Sequence, residues 1–323
     1  VGEFELINRF FRNSVLQPAR RDINLAIGDD CALISVPQGK QLAVSVDTSI
    51  AGVHFLEDAP AFDIGWRALA VSLSDLAAMG AKPAWFTLAL TLPNADQDWL
   101  KAFADGMAAL ASRYGIALVG GDTTRGAMSI TVQVQGYISQ GGAWLRSGAK
   151  VGDIIYVSGT LGDAAGGLHI LQSEPHHAAD ETYQSLIQAY LRPEPRFDLL
   201  PILSSRASSA IDISDGFLAD LQHILTGSRL GAQIDLKRIP ISEALKTLVG
   251  AEHALKYALT GGDDYQLCFT VSPQRRLELE VSAEQSGLAI HPIGVITAEP
   301  GIKGLGAYQL GGFDHFAQPI GAQ

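Results

Sequence analysis

Cysteine is scarce in this chain: Cys31 and Cys268 are the two among 323 residues. They lie far apart and match no zinc-ligand spacing. This excludes a disulfide framework and predicts reduced, buried thiols in a cytoplasmic protein. Basic residues are also few. Lys and Arg total 23 against 34 Asp and Glu, a formal net charge of −11. They form no basic run, which argues against a nucleic-acid-binding surface. No uncharged apolar stretch is long enough to span a bilayer, and the first residues carry charges from Glu3 onward with no signal-peptide core. The expectation is therefore no membrane partner. The familiar phosphate and nucleophile motifs are missing too: there is no Gly-x-x-x-x-Gly-Lys-Ser/Thr loop and no Gly-x-Ser-x-Gly. The Gly-rich run at 159–167 is not Gly-x-Gly-x-x-Gly, so it supports a dinucleotide fold only weakly.

What is present is a large apolar content, 47%, with charged residues at 18%. The length favours two domains over one, each with a core of its own. Residues 42–55 organise the first of them: an apolar run through Leu42, Ala43, Val44 and Val46 predicts a buried strand that ends on Asp47 and Thr48 and turns toward His54. Helical spacing covers 3–11, 63–80, 96–114, 181–191, 196–205 and 273–286. Strands are predicted at 84–92, 116–122, 128–138, 153–158, 208–213 and 289–296, and 13–26 reads as irregular. The Gly-rich stretch 139–150 marks a boundary, giving domains 1–143 and 144–323. Strands alternate with helices in both halves, so the class is α+β (α/β).

Both halves repeat one device: a strand, then Gly or Ser, then Asp. It places Asp29, Asp30, Asp47, Asp75, Asp122, Asp212, Asp215, Asp263 and Asp264 in glycine-rich, lysine-poor surroundings. One such Asp is a cap or a turn as readily as a ligand. Nine of them predict a shared cleft, where mutual repulsion raises the carboxylate pKa values unless a cation is supplied. Hard cations such as Mg²⁺ take oxygen ligands and act alongside substrate phosphates. His176-His177 reads instead as a solvated loop pair.

These motifs together carry a resemblance. Gly28-Asp29-Asp30-Cys31-Ala32, Ser45-Val46-Asp47-Thr48 with Gly52-Val53-His54-Phe55, Ser74-Asp75-Leu76-Ala77-Ala78-Met79-Gly80, Gly120-Gly121-Asp122-Thr123, Asp212-Ile213-Ser214-Asp215-Gly216, Gly261-Gly262-Asp263-Asp264-Tyr265 and Gly312-Phe313-Asp314-His315-Phe316 resemble, in order, the thiamine-phosphate kinase family. That family belongs to the aminoimidazole-ribonucleotide-synthetase-like superfamily. The resemblance implies a two-domain fold of that kind: an N-terminal sheet with helices that packs as a dimer barrel, and a C-terminal α/β domain. It implies a cytoplasmic homodimer that transfers the γ-phosphoryl of ATP to thiamine monophosphate. Several Mg²⁺ ions would be held by Asp29, Asp30, Ser45, the Val46 backbone, Asp47, Asp75, Asp122, Asp212 and Asp215, with Asp47, Asp75 and Asp122 nearest the chemistry. Gly121, Asp122, Arg146 and Ser214 would contact ATP. His54, Asp263 and Phe313 would contact thiamine monophosphate. The chain departs from the family at Asp263, where Glu is usual, and at Phe313, where Trp or Tyr is frequent. The rivals are another ATP-using enzyme of the superfamily, making an aminoimidazole ring or a selenophosphate, and a non-catalytic protein whose acidic loops bind divalent cations.

Overall fold

The computed structural model describes residues 2–13 and 15–308. Phe313 and the terminal motif around it lie outside the described residues. The chain divides into two compact units. One comprises Val1–Ala143 and Leu191–Ser205, the other Trp144–Tyr190 and Arg206–Gln323.

The first unit opens with α1 (Glu3–Leu6), which runs into a π-helical turn, Ile7–Phe11. A two-stranded antiparallel ribbon follows, β1 (Ile23–Leu25) and β2 (Leu33–Ile34), of which β1 falls where an irregular stretch was expected. Then come β3 (Lys40–Ile50), α2 (Ala61–Ala78), β4 (Lys82–Leu92), α3 (Gln97–Tyr114), β5 (Ala117–Arg125) and β6 (Ser129–Ser139). The four long strands form a sheet in the order β3-β6-β4-β5. Its inner rows, including Phe86, Leu88, Val132 and Val134, join Leu69, Leu73, Phe103 and Met107 of the two helices in one core. The helices can pack this closely because two glycines face each other's backbone. A Cβ on Gly65 would stand 2.1 Å from the Phe103 carbonyl, and one on Gly106 would stand 1.9 Å from that of Phe62. The Asp96 carboxylate starts α3 by accepting the N–H groups of Asp98 and Trp99 at 2.9 and 3.1 Å.

The alternation of β3 is not that of a buried strand. Leu42, Val44, Val46 and Ile50 are 43–56% exposed, whereas Ser45, Asp47 and Ser49 turn toward the helices. An edge strand has one covered face, and here the polar residues took it because Asp75 and Ser72 of α2 wait beneath.

In the second unit the elements are β7 (Ile154–Ser158), α4 (Asp163–Ser173), α5 (Gln184–Leu191), β8 (Ala207–Asp212), α7 (Phe217–Ser228), β9 (Gly231–Ile234), α8 (Glu243–Thr260), β10 (Leu267–Val271), α9 (Arg276–Gln285), β11 (Ile290–Thr297) and β12 (Gly301–Lys303). The short helix α6 (Leu200–Leu203) falls in the excursion that packs with the first unit. The sheet order is β12-β9-β11-β7-β10-β8, mostly antiparallel. Its core gathers Val157, Ile211, Phe217, Leu221, Leu259 and Ile296.

Residues 191–205 were expected in the second half, with a full helix over 196–205. The helix is there but shorter, a 3-10 turn Phe197–Leu199 running into α6, and 192–196 before it is extended; the whole stretch is pinned to the first unit. Arg192 pairs with the buried Asp63 and lies 4.7 Å above the Phe62 ring. The Trp66 indole donates to the Pro193 carbonyl at 3.0 Å, and the Tyr114 hydroxyl donates to that of Pro195 at 3.0 Å. Pro193 and Pro195 lack N–H donors, which keeps 192–196 out of a helix. Cys268 is buried as expected, but Cys31 is exposed.

Candidate active site

Within the first unit the structure sorts the predicted carboxylates into two groups. The first surrounds a cavity of about 540 Å³ lined by Asp29, Asp30, Gly121, Asp122 and, from the N-terminal segment, Arg12. Asp29 and Asp30 sit in the loop between β1 and β2, and Asp122 lies in β5. In register, Thr48, Thr131, Ala89 and Asp122 form one row across the sheet, on the face away from α2 and α3. Gly121 is required here, since a Cβ would stand 1.9 Å from the Leu88 carbonyl oxygen. Arg12 is a cation among these acids that carboxylate counting missed; its guanidinium lies 3.3 Å from where a Gly28 Cβ would be.

The second group lies under the β3 edge, on the helix side. The Ser45 hydroxyl donates to Asp75, and Asp47 lies close enough to Asp75 to feel its charge. Burial, followed by the Asp75 charge, pushes the Asp47 carboxyl up to about 6, and the Ser72 hydroxyl opposes this in part. Asp47 Oδ2 is buried and has no hydrogen-bond partner. So the single cleft expected for Asp29, Asp47, Asp75 and Asp122 is not what one chain presents. The alternation along the strands puts Asp47 and Asp122 on opposite faces of the sheet. His54 follows in the turn after β3. Its Nδ1 accepts the Ile50 N–H at 3.0 Å, and its carbonyl accepts from the Arg67 guanidinium at 3.2 Å. An accepting Nδ1 leaves the neutral ring its proton on Nε2.

In the second unit Asp212 is buried at the end of β8, next to the loop Ser214-Asp215-Gly216 that starts α7. That loop is held by a residue the sequence did not flag. Asp220 Oδ2 accepts the N–H groups of Ser214, Asp215 and Gly216 at 3.0, 3.1 and 3.1 Å. Burial, then the Asp215 charge, raises the Asp220 carboxyl to about 7. A helix start followed by an acid within one turn is the only signal that could have found it. Asp263 and Tyr265 adopt left-handed backbone, φ 72° and 49°. Between them, the buried Asp264 accepts from the N–H of Gly162 at 2.6 Å and of Ala164 at 3.3 Å. Arg146 is not beside Ser214: its carbonyl accepts from Ser228 at the far end of α7. That helix has 12 residues, so roughly 18 Å separates the two backbones.

A nucleotide-binding class without a P-loop, built on acidic loops at strand ends, agrees with the family models. Residues 28–138 match the N-terminal domain, and 150–306 the C-terminal domain, of AIR synthase related protein. Thiamine-monophosphate kinase of Escherichia coli K12 is 48% identical over 98% of this chain and 99% of its own length. That of Bacillus subtilis 168 is 36% identical over 92% and 91%. The chain belongs to the thiamine-monophosphate kinase family. Among solved structures, thiamine-monophosphate kinase from Stenotrophomonas maltophilia K279a superposes with a TM-score of 0.86 at 48% identity, covering 94% of this chain and 96% of that one. AaThiL complexed with AMPPCP and TMP superposes with a TM-score of 0.79 at 31% identity, covering 97% and 96%. HypE of Escherichia coli, at 22% identity and a TM-score of 0.74, shares the fold.

Proposed function

We propose that this protein transfers the γ-phosphoryl group of ATP to thiamine monophosphate, giving thiamine diphosphate and ADP, and that it does so with magnesium. The AaThiL complex with AMPPCP and TMP supports the substrate pair. The observation in this chain that carries the metal requirement is the Asp47–Asp75 pair. A buried carboxylate oxygen without a hydrogen-bond partner, in a group already strained by a second carboxylate, is matched by a hard cation with oxygen preference.

The acceptor phosphate has a second pKa of about 6, so it is already an oxyanion at neutral pH. No general base is needed. What opposes reaction is the approach of two anions, and positioning with charge neutralisation lowers that barrier. Bound magnesium supplies most of the positive charge. Asp29, Asp30, Ser45, the Val46 backbone, Asp47, Asp75, Asp122, Asp212 and Asp215 are its ligands. Gly121, Asp122, Arg146 and Ser214 bind ATP. Arg12 adds a fixed positive charge in the cavity of Asp29, Asp30 and Asp122. His54, Asp263 and Phe313 hold thiamine monophosphate. Transfer is in-line and direct, and a labelled phospho-aspartate or phospho-histidine trapped after mixing with ATP would contradict it.

The working form is a cytoplasmic homodimer. No helix among the described residues is long and apolar enough to cross a membrane. Leu42, Val44, Val46 and Ile50 make an exposed apolar strip on the edge strand, on the same sheet face as Asp122. A long apolar edge strand left bare invites aggregation, and a second copy covers it. ADP release assayed with thiamine monophosphate, with Mg²⁺ and with EDTA, tests the activity. Release that needs both the acceptor and the metal is expected.

A further inference from the structure

The pair His176-His177, which reads from sequence as a solvated loop, acquires partners in the structure. Pro175–His177 forms a single 3-10 turn immediately after α4. Glu174, His176 and His177 each present one donor atom within 4.8 Å of the others. His177 Nε2 stands 3.5 Å from Glu174 Oε2, and His169 Nε2, from inside α4, stands 3.4 Å from the other oxygen, Oε1, outside the converging set. Both separations are long for an N–H···O hydrogen bond, which prefers 2.7–3.2 Å. The His177–Glu174 separation matches the edge of a coordination tetrahedron. Two donors, each about 2.0–2.1 Å from a zinc ion, stand about 3.3 Å apart.

The surroundings hold the donors in place. The His177 ring meets the Tyr183 ring edge to face, with centroids 5.1 Å apart, and the His176 and His177 rings lie 4.1 Å apart. His169 packs against Tyr257 of α8 at 6.3 Å. The donor set also differs in kind from the acidic loops. Imidazole with one carboxylate suits zinc-class ions, whereas magnesium takes oxygen alone. It differs in place as well. Asp264 binds the N-terminal end of α4 and this cluster stands at the other end, and 11 residues of helix span roughly 16 Å.

We propose that Glu174, His176 and His177 bind a zinc-class divalent cation, with water completing its coordination and His169 holding the other Glu174 oxygen, and that the ion fixes the C-terminal end of α4 to the turn that follows it. The site is independent of the kinase chemistry and does not rest on that assignment.

The test uses tag-free, full-length protein stripped with EDTA and returned to excess Mg²⁺, so that the acidic loops are occupied. Titration with Zn²⁺ is expected to give one ion per chain at this site, not displaced by Mg²⁺. His176→Ala and His177→Ala should each weaken it at least about tenfold. His176 is exposed, so its variant keeps the fold, and its melting in EDTA checks this. Co²⁺ substituted for Zn²⁺ should show the visible d–d bands of a four-coordinate ion and no thiolate charge-transfer band. Amide exchange over 169–178 should slow with Zn²⁺ in the wild type and not in either variant. Unchanged Zn²⁺ affinity in both variants, displacement by Mg²⁺, or a thiolate band, which would transfer the ion to the exposed Cys31, each overturns the proposal.

Discussion

The Asp264 carboxylate accepts the backbone N–H of Gly162 at 2.6 Å, joining two glycine-rich motifs 102 residues apart. It also takes the N–H of Ala164, the donors of a helix start that would otherwise be buried and unmet. Burial raises this carboxyl well above the usual range, and the two N–H bonds oppose that only in part. Asp264→Ala should therefore cost about 2–3 kcal/mol in urea unfolding, because it leaves buried donors without an acceptor. Asp264→Asn keeps one acceptor oxygen and should cost about half as much. Equal losses for the two would show that the charge, and not the acceptor, matters.

Asp47 supplies a pH prediction. Its folded pKa is raised from 3.8 to about 6, so the fold disfavours the ionised form. Stability of the metal-free protein from this group is highest below about 4 and falls as pH rises through about 6. Asp47→Asn removes the penalty. In EDTA at pH 7.5 the variant should be more stable than wild type by about 1–3 kcal/mol, with the gap closing toward pH 4. Mg²⁺ should stabilise wild type and not the variant, while turnover by the variant is lost. A variant less stable than wild type in EDTA at pH 7.5 would show that Asp47 is a structural carboxylate.

Asp220 serves the loop it caps. Three N–H groups converge on one of its oxygens, and removing it frees Ser214, Asp215 and Gly216 together. Asp220→Ala should raise the Mg²⁺ and ATP concentrations needed for half-maximal rate by an order of magnitude or more. It should also cost about 2–4 kcal/mol in stability. Asp220→Asn, which retains an acceptor, should recover most of the stability. If Asp220→Ala changes stability alone, the loop has no part in nucleotide binding.

Val44 is 53% exposed on the open face of β3. If a second copy covers that face, Val44→Lys places an uncompensated charge in an apolar interface. Sedimentation should then show a dimer for wild type and a monomer for Val44→Lys at the same concentration. A monomeric wild type, or a variant that still dimerises, would move the interface elsewhere.

Much of this was legible from sequence where local rules decide. The Asp96 cap and Gly115, with its left-handed backbone, mark both ends of α3, and Gly28-Asp29 and Gly262-Asp263 fall in loops as expected, whereas Gly121-Asp122 lies inside β5, which continues to Arg125. What was not legible came from tertiary partners. The face of β3 depends on which sheet edge it occupies, and the apolar pattern of Leu42, Val44 and Val46 alone gives the opposite answer. Residues 191–205 join the first unit because Asp63 and Trp66 offer partners far away in sequence. The strand β9 and the helix α8 lie in 228–260, a stretch the spacing had left without assignment. Arg12 and Asp220 were missed because an exposed Arg and a helical Asp are common, and only their neighbours make them distinct.

The central claim is that acidic side chains here exist to bring a metal to two phosphates. The most direct measurement is conversion of thiamine monophosphate by wild type and Asp75→Asn at matched folded concentration, across a Mg²⁺ titration. The expected result is thiamine diphosphate and ADP formed together, no product in EDTA, and a loss of at least about a hundredfold in Asp75→Asn with its melting transition retained. Turnover that ignores EDTA, or that survives in Asp75→Asn, would contradict the account.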